Sequence, residues 1–65
     1  MHITVNAKAH DIAADTLDAA LVELGFTSPA IATALNGQFV PISARGATAL
    51  RAGDRLEVLS PMQGG

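Results

Sequence analysis

The chemistry this sequence can offer is concentrated in Met62-Gln63-Gly64-Gly65, at its carboxyl end. A glycine pair has no Cβ atoms and loses the most backbone freedom on ordering, so it adds nothing to a fold. What it provides is a stalk thin enough to thread, extended, into a channel that admits no side chains, with a carboxylate at its tip. At neutral pH that carboxylate is ionised and inert to nucleophiles. Acyl chemistry on it therefore needs prior activation by another agent. Gly65 is the candidate point of covalent attachment, and Gln63, Gly64 and Gly65 are the residues to be presented to a partner's active site.

Nothing else in the chain forms a catalytic set. The absence of cysteine removes disulfides, thiolate metal sites and a cysteine nucleophile together. His2 and His10 are the only imidazoles, and neither stands at a carboxylate-histidine spacing that builds a metal or acid-base site. Asp15 and Asp18 are close in sequence but stand where a helix begins, and capping accounts for both. Asp54 follows a turn glycine and is placed to accept from local backbone amides. Thr16 and Ser43 have no general base near them. No catalytic residue, resident cofactor or metal is expected, and the chain reads as something acted upon.

Composition bounds the rest. The 65 residues make one domain (1–65), 49% apolar and 15% charged with a net charge of −2. That is too hydrophobic for disorder and lacks the basic patch that nucleic acid requires. A chain this short hides only about 60% of its unfolded surface, so a net stability of roughly 3–5 kcal/mol is expected. No apolar run is long enough for a signal peptide or membrane span, which points to a cytoplasmic protein.

The elements that must position the tail follow from periodicity. Residues 1–5 alternate apolar with polar, the pattern of a strand with one buried face. Asn6-Ala7-Lys8 turns the chain toward a shorter strand over residues 9–12. Because alanine at positive φ costs on the order of 1 kcal/mol, a loop looser than a tight primed turn is expected there. Asp15 stands at the N-cap of a helix whose stripe is Leu17, Ala20, Leu21 and Leu24; Gly25 terminates it, with Phe26 placed for the accompanying apolar contact. Residues 30–35 read as a strand, with the face that meets the helix undecided. Asn36-Gly37 is the strongest hairpin signal, residues 38–40 return, and Pro41 stops the ladder. Residues 42–49 have no clear period and read as a loop with at most a short helical turn. After Gly53, residues 55–59 alternate again, Leu56 and Val58 inward against Arg55 and Glu57. Residues 60–65 form a flexible tail that reaches about 20 Å if extended. A right-handed crossover then sets the last strand parallel to the first at the sheet centre: an α+β, β-grasp (ubiquitin-like) fold, a mixed five-stranded sheet with one helix on one face.

Three stretches carry a family resemblance: Asn36-Gly37 with Val40-Pro41 after it, Leu50-x-x-Gly53-Asp54-x-Leu56-Glu57-Val58, and Gln63-Gly64-Gly65. In this order they resemble the small ubiquitin-like sulfur carriers, most closely the ThiS family of thiamine thiazole synthesis, and the resemblance covers the whole chain. Asn6-Ala7 stands where the family commonly has Asn-Gly, and Ile42 where a basic residue is common. The resemblance implies that a ubiquitin-activating-like adenylyltransferase, which supplies ATP and magnesium, adenylates Gly65. A persulfide-bearing sulfur donor then converts the adenylate to a thiocarboxylate, which thiazole synthase uses as sulfur source. Docking on those partners is assigned to Met62, Leu59, Phe39 and Ile42. Leu59, opposite in parity to Leu56 and Val58, either faces a partner or packs against a loop. Two other readings share the tail: a carrier like the small subunit of molybdopterin synthase, whose members tend to be longer, and a ubiquitin-like modifier conjugated through Gly65, for which Lys8 is the only lysine. A third reading is a plain β-grasp interaction module.

Overall fold

In the computed structural model, which describes residues 1–60, Ile3 and Val5 lie on the buried side of the first strand, β1 (His2–Val5), as their spacing predicts. β2 (Lys8–Asp11) returns antiparallel, from Val5 opposite Lys8 to His2 opposite Asp11. The connection is tighter than the sequence leads one to expect. Asn6 (φ 48°) and Ala7 (φ 69°) form a two-residue primed turn, whose twist matches that of the flanking strands. The alanine strain is accepted because Asn6 is fixed from a third strand, as described below.

Helix α1 (Leu17–Glu23) buries Leu17, Ala20 and Leu21 against the sheet. Its start differs from expectation. Thr16, not Asp15, occupies the N-cap, and no side chain caps the helix. The backbone there is already engaged with residues 48–50: Leu17 N donates to Thr48 O and Leu50 N to Asp15 O, each at 2.9 Å, around a bridge between Thr16 and Ala49. The amides just upstream are satisfied from the helix's far end. The Glu23 carboxylate accepts from Ala13 N at 2.9 Å and Ala14 N at 2.9 Å. The helix end follows the sequence reading: Gly25 has φ 87°, Gly25 N donates to Val22 O and Phe26 N to Leu21 O, the paired bonds of a Schellman termination.

β3 (Ala32–Leu35) begins two residues later than the alternation suggests and is joined to β4 (Gln38–Val40) by Asn36 (φ 51°) and Gly37 (φ 84°). After Pro41 the chain forms a 3-10 helix (Ile42–Ala47), where the sequence suggests no more than a short turn. β5 (Arg55–Leu59) follows. The sheet order is β2-β1-β5-β3-β4, with β5 parallel to β1 and antiparallel to β3. This is the β-grasp arrangement, and α1 and the 3-10 helix pack on one face over a core that includes Ile3, Val5, Leu56 and Val58. Thr33 resolves which side of β3 faces α1, since it is buried while Ala32 and Ala34 are not.

One core member has no signal in the sequence. Arg45, on the 3-10 helix, is only 8% exposed. Its Nε donates to Thr33 Oγ1 at 3.1 Å and its Nη2 to Ile31 O at 2.8 Å, while Thr33 Oγ1 donates to Val40 O at 2.9 Å. A buried guanidinium persists only where its donors are satisfied. Here it ties the 3-10 helix to the approach to β3. Among the described residues, no helix is long and apolar enough to cross a membrane.

Candidate functional site

β5 leads in sequence to the carboxyl-terminal residues expected to carry the chemistry, so the site is built from what holds that strand. Leu56 and Val58 point into the core, and Arg55, Glu57 and Leu59 point away from the helix. On one edge β3 pairs along the whole strand, from Leu35 opposite Leu56 to Ala32 opposite Leu59. On the other edge Gly53 N donates to His2 O at 2.8 Å, Thr4 N to Asp54 O at 2.9 Å and Asn6 N to Leu56 O at 2.9 Å.

Two asparagines extend this grip, each the first residue of a primed turn. Asn36 Oδ1 accepts from Arg55 N at 2.9 Å, and its Nδ2 donates to Asp54 Oδ1 at 3.1 Å. Asp54 Oδ2 accepts from Arg51 N at 2.8 Å, the local backbone bond its position predicts. Asn6 Oδ1 accepts from Val58 N at 2.8 Å, and Asn6 Nδ2 donates to Val58 O at 3.2 Å. The strand is thereby clamped at both ends. Sequence reasoning saw these asparagines as turn residues only; their reach onto β5 depends on that strand lying between the two hairpins.

The residues expected to carry the chemistry, Gln63, Gly64 and Gly65, and the docking candidate Met62 lie outside the described residues. Of the other docking candidates, Leu59 and Phe39 lie on the helix-free side of the sheet, and Ile42 opens the 3-10 helix just past the end of β4. Leu59 is 71% exposed, Phe39 69% and Ile42 64%. Cross-strand register sets Ala32 beside Leu59, and Ala34 between Phe39 and Glu57. These small side chains leave a shallow groove walled by Phe39 and Leu59 with Glu57 at its margin. Phe39 continues past Ala32 and Pro41 to Ile42 on the neighbouring surface. The structure thus gathers Leu59, Phe39 and Ile42 on one exposed apolar surface, continuous with the end of β5. Ala32 and Ala34 were not singled out from the sequence; their parity opposite Thr33 was the available signal.

The Asp18 carboxyl is held below its ordinary range by the Thr16 hydroxyl, which donates to Oδ1 at 2.7 Å, and next by the Ala19 amide. Both bonds lie at the start of α1. His2 is exposed and His10 half-buried in the β1–β2 pair. Among the described residues, no group of three His, Cys, Asp or Glu side chains could hold a metal ion.

Comparison with known proteins bears on this arrangement. The ThiS family model matches residues 3–65. The crystal structure of the thiamine biosynthesis protein ThiS from Geobacter metallireducens superimposes with a TM-score of 0.84 at 30% identity, covering 100% of both chains. A solution structure of a thiamine biosynthesis protein from the same organism gives a TM-score of 0.81 at 30% identity, covering 100% of this chain and 88% of that one. No curated protein matches the sequence.

Proposed function

The chain belongs to the ThiS family, and from that premise we propose that it is a sulfur carrier of thiamine biosynthesis, a protein co-substrate whose Gly65 carboxylate is the working group. The reading rests above all on one observation: the strand that leads to the carboxyl end lies at the centre of the sheet, paired on both edges and clamped at Val58 by the Asn6 side chain. A carrier needs a rigid body to be recognised and a slender appendage to be worked upon, and a central strand is the firmest root for one.

In the proposed cycle the Gly65 carboxylate attacks the α-phosphate of ATP on an adenylating enzyme that resembles ubiquitin-activating enzymes, and pyrophosphate leaves. That enzyme supplies the nucleotide and its magnesium; this chain's own part is to dock and to deliver the carboxylate. The acyl-adenylate is a mixed anhydride, so its carbonyl carbon is now open to attack. The terminal sulfur of a persulfide protein displaces AMP, and a thiol then opens the resulting acyl disulfide, leaving a thiocarboxylate on Gly65. Thiazole synthase takes that sulfur and returns the carboxylate. Glycine at positions 64 and 65 suits each step, since no side chain crowds the acyl carbon. Leu59, Phe39, Ile42 and Met62 form the docking surface in this reading, and cytoplasmic ATP drives the cycle.

Intact-protein mass spectrometry after incubation with ATP, magnesium, the cognate adenylating enzyme and a persulfide donor tests the reading. The expected product carries the mass gain of one oxygen-to-sulfur exchange, localised to Gly65 by fragmentation. A chain lengthened by one residue after Gly65 should remain unmodified with its fold intact. Lysine adducts in place of the thiocarboxylate would make the protein a conjugating modifier instead, and modification of the lengthened chain would contradict the role given to Gly65.

A further inference from the structure

The last backbone bond from β1 to β5 is Asn6 N to Leu56 O. Beyond it the first strand turns away into its hairpin. Along a strand, donors and acceptors alternate between edges, so the next polar groups of β5 to face β1 are those of Val58, two residues further on. Among the described residues, no backbone group on that side meets them. The Asn6 carboxamide takes both, accepting from Val58 N at 2.8 Å and donating to Val58 O at 3.2 Å. A primary amide carries the same donor and acceptor as a peptide group, so this side chain acts as one more ladder unit on the edge where β1 has ended.

Position 6 meets two separate demands. Its backbone sits at φ 48°, a region that favours Gly, Asn and Asp. Its side chain must both accept and donate at short reach. Aspartate satisfies the first demand but only accepts, and glycine satisfies the first demand alone. Asparagine meets both.

We propose that Asn6 is a positioning residue for the transfer chemistry on Gly65: by clamping Val58 it fixes the end of β5 and so the direction in which the chain departs toward the partner's active site. This deepens the proposed function and rests on it. Asn6 touches no reacting atom and acts through Val58. It lies apart from the surface formed by Phe39, Leu59 and Ile42, so its loss should alter delivery of the carboxylate more than docking.

The test uses the full chain and two substitutions that keep the turn, Asn6→Gly and Asn6→Asp. Amide exchange followed by NMR should show Val58 exchanging about tenfold faster in Asn6→Gly, beyond any global change seen at Leu56 and Thr33, because two hydrogen bonds are lost. In steady-state adenylation kcat should fall about tenfold while KM for the carrier stays within about twofold. Asn6→Asp, which retains the acceptor for Val58 N, should fall between the two. Adding Ala7→Gly to Asn6→Gly should restore thermal stability and leave kcat low. An unchanged kcat in Asn6→Gly, or recovery of kcat by Ala7→Gly, would reduce Asn6 to a structural residue and overturn the proposal. If the wild-type chain is not adenylated at all, the proposed function falls, and the proposal falls with it. The Val58 exchange rate would still distinguish a clamp with nothing to position from no clamp.

Discussion

At the scale of single residues, Ala7 records a conflict between local preference and tertiary demand. Its φ of 69° lies in the left-handed region, where a Cβ crowds the following carbonyl at roughly 1–2 kcal/mol. The looser loop expected from the sequence would relieve that strain but release Asn6 from Leu56 and Val58, and the four-pair register of β1 on β2 would be lost with it. Two amide bonds to a neighbouring strand outweigh one strained residue. Replacing Ala7 by glycine removes the strain and keeps the clamp, at the cost of a more flexible unfolded chain. Ala7→Gly should therefore stabilise the fold by about 0.5–1 kcal/mol, which for a domain this small raises Tm by a few degrees, roughly 4–8 °C per kcal/mol. A thermal melt by circular dichroism reads this directly. A lowered Tm would mean that the turn does not hold Ala7 at positive φ.

Among the elements, α1 shows which signals are local and which are not. Its apolar stripe and its Schellman end were legible because both are written within about ten consecutive residues. Its beginning was not. Asp15 carries the usual N-cap signature, yet its carbonyl and the Leu17 amide are taken by residues 48–50, and no local pattern announces a partner so distant in sequence. The same holds for the 3-10 helix, where Arg45 is drawn into the core by acceptors on Ile31 and Thr33 although the segment has no hydrophobic period. The misassigned cap gives a clean comparison. Glu23 accepts from two backbone amides ahead of the helix, whereas Asp15 makes no side-chain hydrogen bond to the helix N-terminus. Glu23→Ala should cost about 1 kcal/mol and Asp15→Ala less than about 0.5 kcal/mol, measured as the shift in urea midpoint at constant m-value. The reverse ranking would restore Asp15 as the cap.

Across the whole molecule, the proposed function divides the chain into a body to be recognised and a carboxyl end to be modified. That the strand before the tail lies centrally, parallel to β1, was legible from the order of elements and the handedness of the crossover. Which outward side chains meet one another was not, because parity assigns a residue to a face but says nothing of its neighbours across strands. Only the register brings Ala32 beside Leu59 and Ala34 beside Phe39, turning isolated apolar residues into one surface. Scattered exposed apolar residues are ordinary, whereas a gathered group with a groove is the usual mark of a contact site. Docking on it should be separable from delivery of the tail. Phe39→Asp and Leu59→Asp each place a charge where an apolar partner surface would close, a loss of the size that raises KM for the adenylating enzyme about tenfold or more. Because Leu59 is 71% and Phe39 69% exposed, neither change should lower Tm by more than a few degrees. Their kcat should remain near wild type, the opposite of the pattern expected for Asn6→Gly, where KM holds and kcat falls. Finding the same parameter altered in both sets of variants would mean that the sheet face and the β5 clamp act as one unit, and that docking and delivery are a single step.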